Sequence, residues 1–241
     1  MVYLTNVSLR SREAIQGWRL KVLIGCALAA LIAYVAPFDL AFASLTAGSP
    51  VARACVIVIL ALAGVWLGPR IGLQIEPRGL SRPFLVPVAV AAAVAAYCAI
   101  CDCAMRPQLS PEFLAGMKSP VVWRIGAFAA RAFNENIIYR LFLGTALVWA
   151  IGRVWKDSAG GPSLGAYLTG FTLAQIINIW INVSALAPLT PLHLAHDALR
   201  YVVPGVVWSW LYWRYGFQSN EIACTSVHLF LQPLVTLGLG A

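Results

Sequence analysis

Little of this chain is charged. Of 241 residues, 17 are Lys or Arg, 9 are Asp or Glu and 3 are His, so charged residues make up 11% of the sequence. A soluble domain carries about 25% charge, and that class is excluded; a hydrophobic content of 61% agrees. Short segments alternating between apolar and polar residues are also missing, which excludes a membrane β-barrel. There is no low-complexity tract, no heptad run and no internal repeat. With no inverted repeat and so few acids to build a relay, proton or solute transport is disfavoured. The 6 cysteines supply no extracellular framework. Cys26, Cys55 and Cys224 lie in apolar runs, where cysteine acts as a small hydrophobe. Cys98, Cys101 and Cys103 match no zinc spacing, and a disulfide or soft-metal site there is the minor alternative.

What fills the chain is apolar sequence, continuous over runs of roughly 18 to 25 residues, each long enough for a membrane helix. The fold class expected is all-α, a polytopic bundle of about seven membrane helices. The spans fall at about 20–38, 51–68, 84–105, 122–152, 164–187, 192–213 and 218–239. The fourth is anomalous: ~30 residues rising ~1.5 Å each reach ~45 Å against a hydrocarbon core of ~30 Å, so it must tilt, break or project. Most of the tryptophans fall near span ends, as interface anchors do. Trp180, Trp208 and Trp210 are candidates for a groove, with core or lipid contact the commoner fate.

Basic residues set the expected orientation. Arg10, Arg12, Arg19 and Lys21 precede the first span, Arg70, Arg78 and Arg82 follow the second, Arg153 and Lys156 follow the fourth, and Arg214 ends the sixth. A cytoplasmic N-terminus puts all of them inside. The expected location is a bacterial inner, or cytoplasmic, membrane. Net charge of +8 is spread through short loops, which suits anionic lipid headgroups as partners and not nucleic acid. Ala41-Phe42-Ala43 resembles a cleavage pattern, but the apolar run before it exceeds the ~7–15 residues of a signal peptide, so a retained anchor is expected.

Two long connectors, Pro69 to Pro83 and Arg106 to Pro120, punctuate the chain. The second contains Ser110-Pro111-Glu112, a helix start with Pro at its first position. The sequence divides there into residues 1–119, a cytoplasmic tail with three membrane helices, and residues 120–241, a four-helix membrane domain that holds the chemistry.

That chemistry is carried by polar residues inside apolar spans, where burial is costly enough that function is the default reading. Counting ~1.5 Å per residue, Glu135 lies ~18 Å from the outer end of its span, Gln175 ~17 Å and His228 ~15 Å from the inner ends of theirs. All three reach mid-membrane. His228 and Gln232 share a helical face, as do Arg131 and Glu135. Arg140, five residues past Glu135 and ~140° around an α-helix, is expected to clamp neighbouring helices or pair with another acid. His193, His196 and Asp197 open the sixth span near the outer face, ~10 Å from the Glu135 level. They read as a solvated helix end, with a metal site as the weaker alternative. Taken singly, Glu135, His228, Gln175 and Gln232 each also fit interhelical glue.

Asn134-Glu135-Asn136-Ile137-Ile138-Tyr139-Arg140 resembles the EExxxR motif of the CAAX protease and bacteriocin-processing (CPBP) intramembrane proteases. Phe171 to Gln175 stands where that family has FxxxH, and His228 to Gln232 where it has HxxxN or HxxxD. Gly205 to Gly216 resembles the stretch before the last motif. The match covers about 120–235. The chain departs from the pattern at Asn136, Gln175 and Gln232, and keeps Glu135, Arg140, Phe171 and His228.

The resemblance implies a CPBP-like helical core and peptide hydrolysis without metal or other cofactor, with Glu135 as general base and His228 with Gln232 as oxyanion donors. Gln175 cannot take a proton, but its amide can hydrogen-bond a water. The site set is Glu135, Asn136, Arg140, Gln175, His228 and Gln232. The substrate implied is a membrane-anchored peptide or protein. The alternative is a catalytically inactive scaffold whose partner is another membrane protein.

Overall fold

The computed structural model describes residues 20–35, 46, 48–183 and 190–240. The tail bearing Arg10, Arg12, Trp18 and Arg19, the Ala41-Phe42-Ala43 pattern and residues 184–189 after the fifth span lie outside the described residues. Every named element among the described residues is helical, and the extended pairing among them is an isolated bridge between Lys156 and Pro162. The elements are α1 (Leu20–Val35), α2 (Pro50–Leu67), α3 (Leu85–Ala104), α4 (Pro111–Gly116), α5 (Val121–Glu135), a π-helical segment (Asn136–Gly144), α6 (Thr145–Ile151), α7 (Leu164–Asn182), α8 (Pro191–Asp197), a second π segment (Ala198–Val202), α9 (Val203–Tyr215) and α10 (Phe217–Leu239). Four helices are long and apolar enough to cross a membrane: Pro50–Ile71, Leu85–Ala104, Leu164–Asn182 and Phe217–Leu239. Of the remaining expected spans, α1 is shorter, and the fourth and sixth are each divided by a change of winding.

Local chemistry explains the starts. Ser49 accepts from the Ala52 amide at 3.3 Å with Pro50 behind it, Ser110 from Phe113 at 3.0 Å with Pro111, and Thr190 from His193 at 3.1 Å with Pro191. A hydroxyl cap satisfies an orphan amide, and proline has no amide to leave unsatisfied at the first position. The helix expected after Ser110 is therefore present, and Leu109, Phe113 and Met117 turn it inward onto the main apolar core.

The segment expected as the fourth span changes its winding midway. Over Asn136–Gly144 the amides reach back five residues, as Thr145 does to the Arg140 carbonyl. The wider turn brings residues four and five apart onto one side, in place of the ~140° separation of an α-helix. The sixth span rewinds over Ala198–Val202, just before Pro204. Proline lacks an amide and its ring crowds the carbonyl four residues back, so wider winding relieves the conflict.

Two apolar cores result. One joins α3, α4, α9 and α10 through Ala95, Cys98, Leu109, Leu211 and Leu231; the other joins α1, α2, the first π segment, α6 and α7 through Ala33, Ile57, Leu141 and Val148. The most extensive packing is between α3 and α10, so the fold crosses the division drawn between residues 119 and 120.

The first π segment lies against α2 at Gly64, where an added Cβ would stand 2.4 Å from the Leu141 carbonyl oxygen. Gly64→Ala is expected to lower stability by ~1–3 kcal/mol through overpacking against backbone, measured by denaturant unfolding in detergent. Gly126→Ala, which opens onto free space, is the neutral control, and equal effects would refute the close approach.

The loop from Gly72 to Pro83 closes one end of the bundle. Phe217 and Gln218 donate to the carbonyls of Gln74 and Ile75, both at 2.9 Å, and Arg78 donates to the Trp213 carbonyl at 2.9 Å. Gly216, at φ 95°, is needed at this junction, since a Cβ there would lie 2.2 Å from the Glu76 carbonyl oxygen. Lys21 joins the same end through an ion pair with Glu76 at 2.7 Å.

Candidate active site

Glu135 is the last residue of α5, and Arg131, one turn earlier on the same face, donates to its carboxylate at 2.6 Å. Because the winding widens immediately after it, Arg140 faces the same cavity as Glu135. Of its two expected roles, the clamp between helices is the one that Arg140 takes: its Nη2 donates to Gln175 Oε1 on α7 at 2.7 Å. The Gln175 amide then donates to the Tyr201 carbonyl at 3.2 Å. Gln175 is thus a strut between the first π segment and the Ala198–Val202 turn. Each end of the amide makes one of these bonds, which leaves one lone pair and one N–H of a side chain that lines the cavity for a water. Gly205 makes room for it, since a Cβ there would lie 2.2 Å from Gln175 Cγ.

On α10, His228 and Gln232 share one face as their spacing predicts. Gln232 Oε1 accepts from Arg124 Nε at 3.2 Å, and a guanidinium can only donate, so the amide's NH₂ end points at His228 Nδ1, 3.4 Å away. Nδ1 is then the acceptor and the neutral ring carries its proton on Nε2. The ring stacks on Phe128 of α5, centroids 5.5 Å apart. Arg124 itself is held by the carbonyls of Met117 and Ser119 and the hydroxyl of Thr236. Gln232 is therefore a positioning residue for His228, with the imidazole Nε2–H as the donor available to a ligand.

Glu135, Arg140, Gln175, His228 and Gln232 line one cavity of about 680 Å³. Asn136 does not: it is fully buried behind the wall, its side chain turned toward Glu221 and Cys224 of α10. The winding that brings Arg140 forward carries the residue after Glu135 away, so Asn136 is corrected from a site residue to a packing residue. Trp208 joins the lining, whereas Trp180 and Trp210 are exposed.

The cavity also holds residues that the sequence misplaced or missed. His193, His196 and Asp197 line it, and His196 and Asp197 are only 3% and 2% exposed, so this turn is not a solvated helix end. Depth counted along a straight helix says nothing of lateral position, and the cavity extends from the Glu135 level to this turn. Asp102, 0% exposed and set among Cys98, Cys101 and Cys103, accepts from Arg200 at 2.6 Å. Asn178 and Asn182 also line the cavity, and with Gln175 they fall at i, i+3 and i+7 on α7, a signal the sequence did offer. Among the described residues no group of three or more His, Cys, Asp or Glu side chains is arranged to hold a metal, and all six cysteines are free.

Set against models of protein families, curated proteins and solved structures, the chain matches none of them.

Proposed function

We propose that this chain is an intramembrane endopeptidase resembling the CPBP proteases, with Glu135 activating a water for peptide hydrolysis. The observation that carries the reading is that Glu135 from α5 and His228 from α10 open onto one cavity, with the imidazole held as an Nε2–H donor by Gln232. The carboxylate takes the water proton, and the imidazole N–H, with Arg140 nearby in the wall, stabilises the oxyanion. The chain crosses the membrane seven times, including the α5–π–α6 and α8–π–α9 passes. Lys21, Arg70, Arg78, Arg82, Arg153, Lys156 and Arg214 gather on the cytoplasmic side of a bacterial inner membrane. The substrate is a membrane-anchored peptide or protein that reaches the cavity from lipid.

The engagement of Gln175 favours a second reading, a catalytically inactive scaffold that keeps the polar cavity as structure and binds another membrane protein. Purified protein in detergent, offered a panel of membrane-anchored peptides, separates the two. New termini detected by mass spectrometry support the peptidase; a folded protein that leaves the whole panel intact supports the scaffold.

A further inference from the structure

Behind the imidazole that the proposed reaction uses stands a buried cation. Arg124 of α5 is 4% exposed, and among the described residues no carboxylate lies within ion-pair distance of it. Uncharged oxygens satisfy its guanidinium. Nη1 donates to the carbonyls of Met117 and Ser119, Nη2 to the hydroxyl of Thr236, and Nε to Gln232 Oε1 at 3.2 Å. A buried charge without a counterion depends on such dipoles, so losing two of the four acceptors would send the guanidinium toward water.

Two of those acceptors belong to α4. Met117 caps that helix and Ser119 lies in the turn before α5, where carbonyls have no helical amide to accept from. This short helix stands between the cavity and the exterior: Phe113 and Met117 line the cavity, whereas Ala115, Gly116 and Lys118 are exposed. Arg124 therefore fastens the cover of the cavity to α10.

The other two acceptors lie on α10 and lead to the imidazole. α5 and α10 pass antiparallel in a register that sets Arg124 against Gln232 and Phe128, one turn on, against His228. Phe128 holds the face of the ring, and Gln232 Nε2 holds its edge, 3.4 Å from Nδ1. An amide can present either end. Against a guanidinium, which only donates, Gln232 must turn Oε1 to Arg124 and its NH₂ to Nδ1, which keeps the neutral ring's proton on Nε2. With the guanidinium withdrawn, the flipped amide is as well satisfied: Oε1 accepts from Nδ1–H, and Nε2 has no proton to offer an oxyanion.

We infer that Arg124 is a positioning residue that makes the donor state of His228 depend on α4: while α4 is seated over the cavity the guanidinium pins Gln232 and the imidazole presents Nε2–H, and when α4 lifts the pin is released. The linkage stands on these hydrogen bonds. Its consequence, an oxyanion donor assembled only when the cover is shut, rests on the peptidase reading.

NMR of nitrogen-labelled imidazoles in the full chain in detergent tests the linkage, with the His228 signals identified by their loss in His228→Asn. Wild type is expected to show the Nε2–H tautomer. Gln232→Glu, similar in shape but able only to accept, is expected to move the proton to Nδ1, with Arg124 balancing the new carboxylate so that the ring stays neutral. Nε2–H retained in that folded variant overturns the control by the amide. Arg124→Met is expected to leave both tautomers in comparable amounts, and Arg124→Lys, which keeps a donor for Oε1, to restore Nε2–H. Nε2–H alone in folded Arg124→Met overturns the positioning role. Phe113→Ala loosens the seat of α4 on the apolar core without touching Arg124, and is expected to speed deuterium exchange at the α4 amides by about tenfold or more and to mix the tautomers. Either result without the other, or neither, overturns the dependence on α4. In cleavage assays Gln232→Glu is expected to lower kcat by about 10²–10³-fold, as for the loss of one oxyanion donor, with KM nearly unchanged. No cleavage by wild type overturns the peptidase reading alone, and the tautomers then decide the linkage.

Discussion

Glu135→Gln is expected to reduce kcat for peptide cleavage by about 10²–10⁴-fold, the range for losing one general base. The substitution suits the question because it removes the proton acceptor with little change of shape, at the cost of the counter-charge to the part-exposed Arg131. Glutamine has nearly the same shape, and its Oε1 can still accept from Arg131 Nε, which holds the glutamate at 2.6 Å. The turn that opens into the π segment therefore keeps its side-chain tie, and circular dichroism and gel filtration should match wild type. Residual turnover would come from the His228 donor, which the change does not touch. Since the loss lies in proton transfer and not in substrate contact, it should fall on kcat with KM within a few-fold. A folded variant cleaving within twofold of wild type would remove Glu135 from the mechanism and, with it, the proposed hydrolysis.

The sequence made the class of fold legible because transfer energetics act on composition: sparse charge and continuous apolar runs leave helices in a membrane as the workable answer. One helix start was legible for a local reason, the hydroxyl followed by proline at Ser110, and the structure shows the same device at Ser49 and Thr190. Glu135 and His228 stood out because an ionisable group in an apolar run is costly wherever it packs. The clamping role of Arg140 was legible, but the side of the helix it faces was not. Its direction depends on winding over Asn136–Gly144, which is set by packing against α2 and α7, and an α-helical wheel sends it the wrong way. His193 and Asp197 were misjudged for a related reason, since rise per residue gives depth but no lateral position. Asp102 and Glu221 obey the same burial rule as Glu135 but lie near helix ends, where an acid ordinarily reaches water. Glu221 was hidden further because its neighbour in space, Asn136, is distant in sequence.

Asp102→Ala is expected to cost ~3–5 kcal/mol of stability, the penalty for leaving a buried guanidinium without its carboxylate. Asp102 has no exposed surface, and the Arg200 side chain is 10% exposed, so little water can replace the lost partner. His196 loses its second carboxylate in the same change, which adds to the penalty rather than offsetting it. The measurement is a denaturant titration in detergent, with Asp102→Ala/Arg200→Met beside the single variant. If the cost comes from the orphaned cation, the double variant should recover most of the loss, because two apolar side chains need no partner. A single variant within ~1 kcal/mol of wild type would mean that Arg200 reaches headgroups along its flexible stem, and the pair would then not pin α3 to the turn before α9. The pair also bears on where the site ends. Asp102 belongs to the first half of the chain and Arg200 to the second, and α3, α4 and the turns flanking α4 supply Val94, Cys98, Leu109, Phe113 and Met117 to the cavity wall. The half that resembles a protease is therefore not a complete cavity without its N-terminal neighbours, and a fragment starting near residue 120 should fail this stability test before any assay of cleavage.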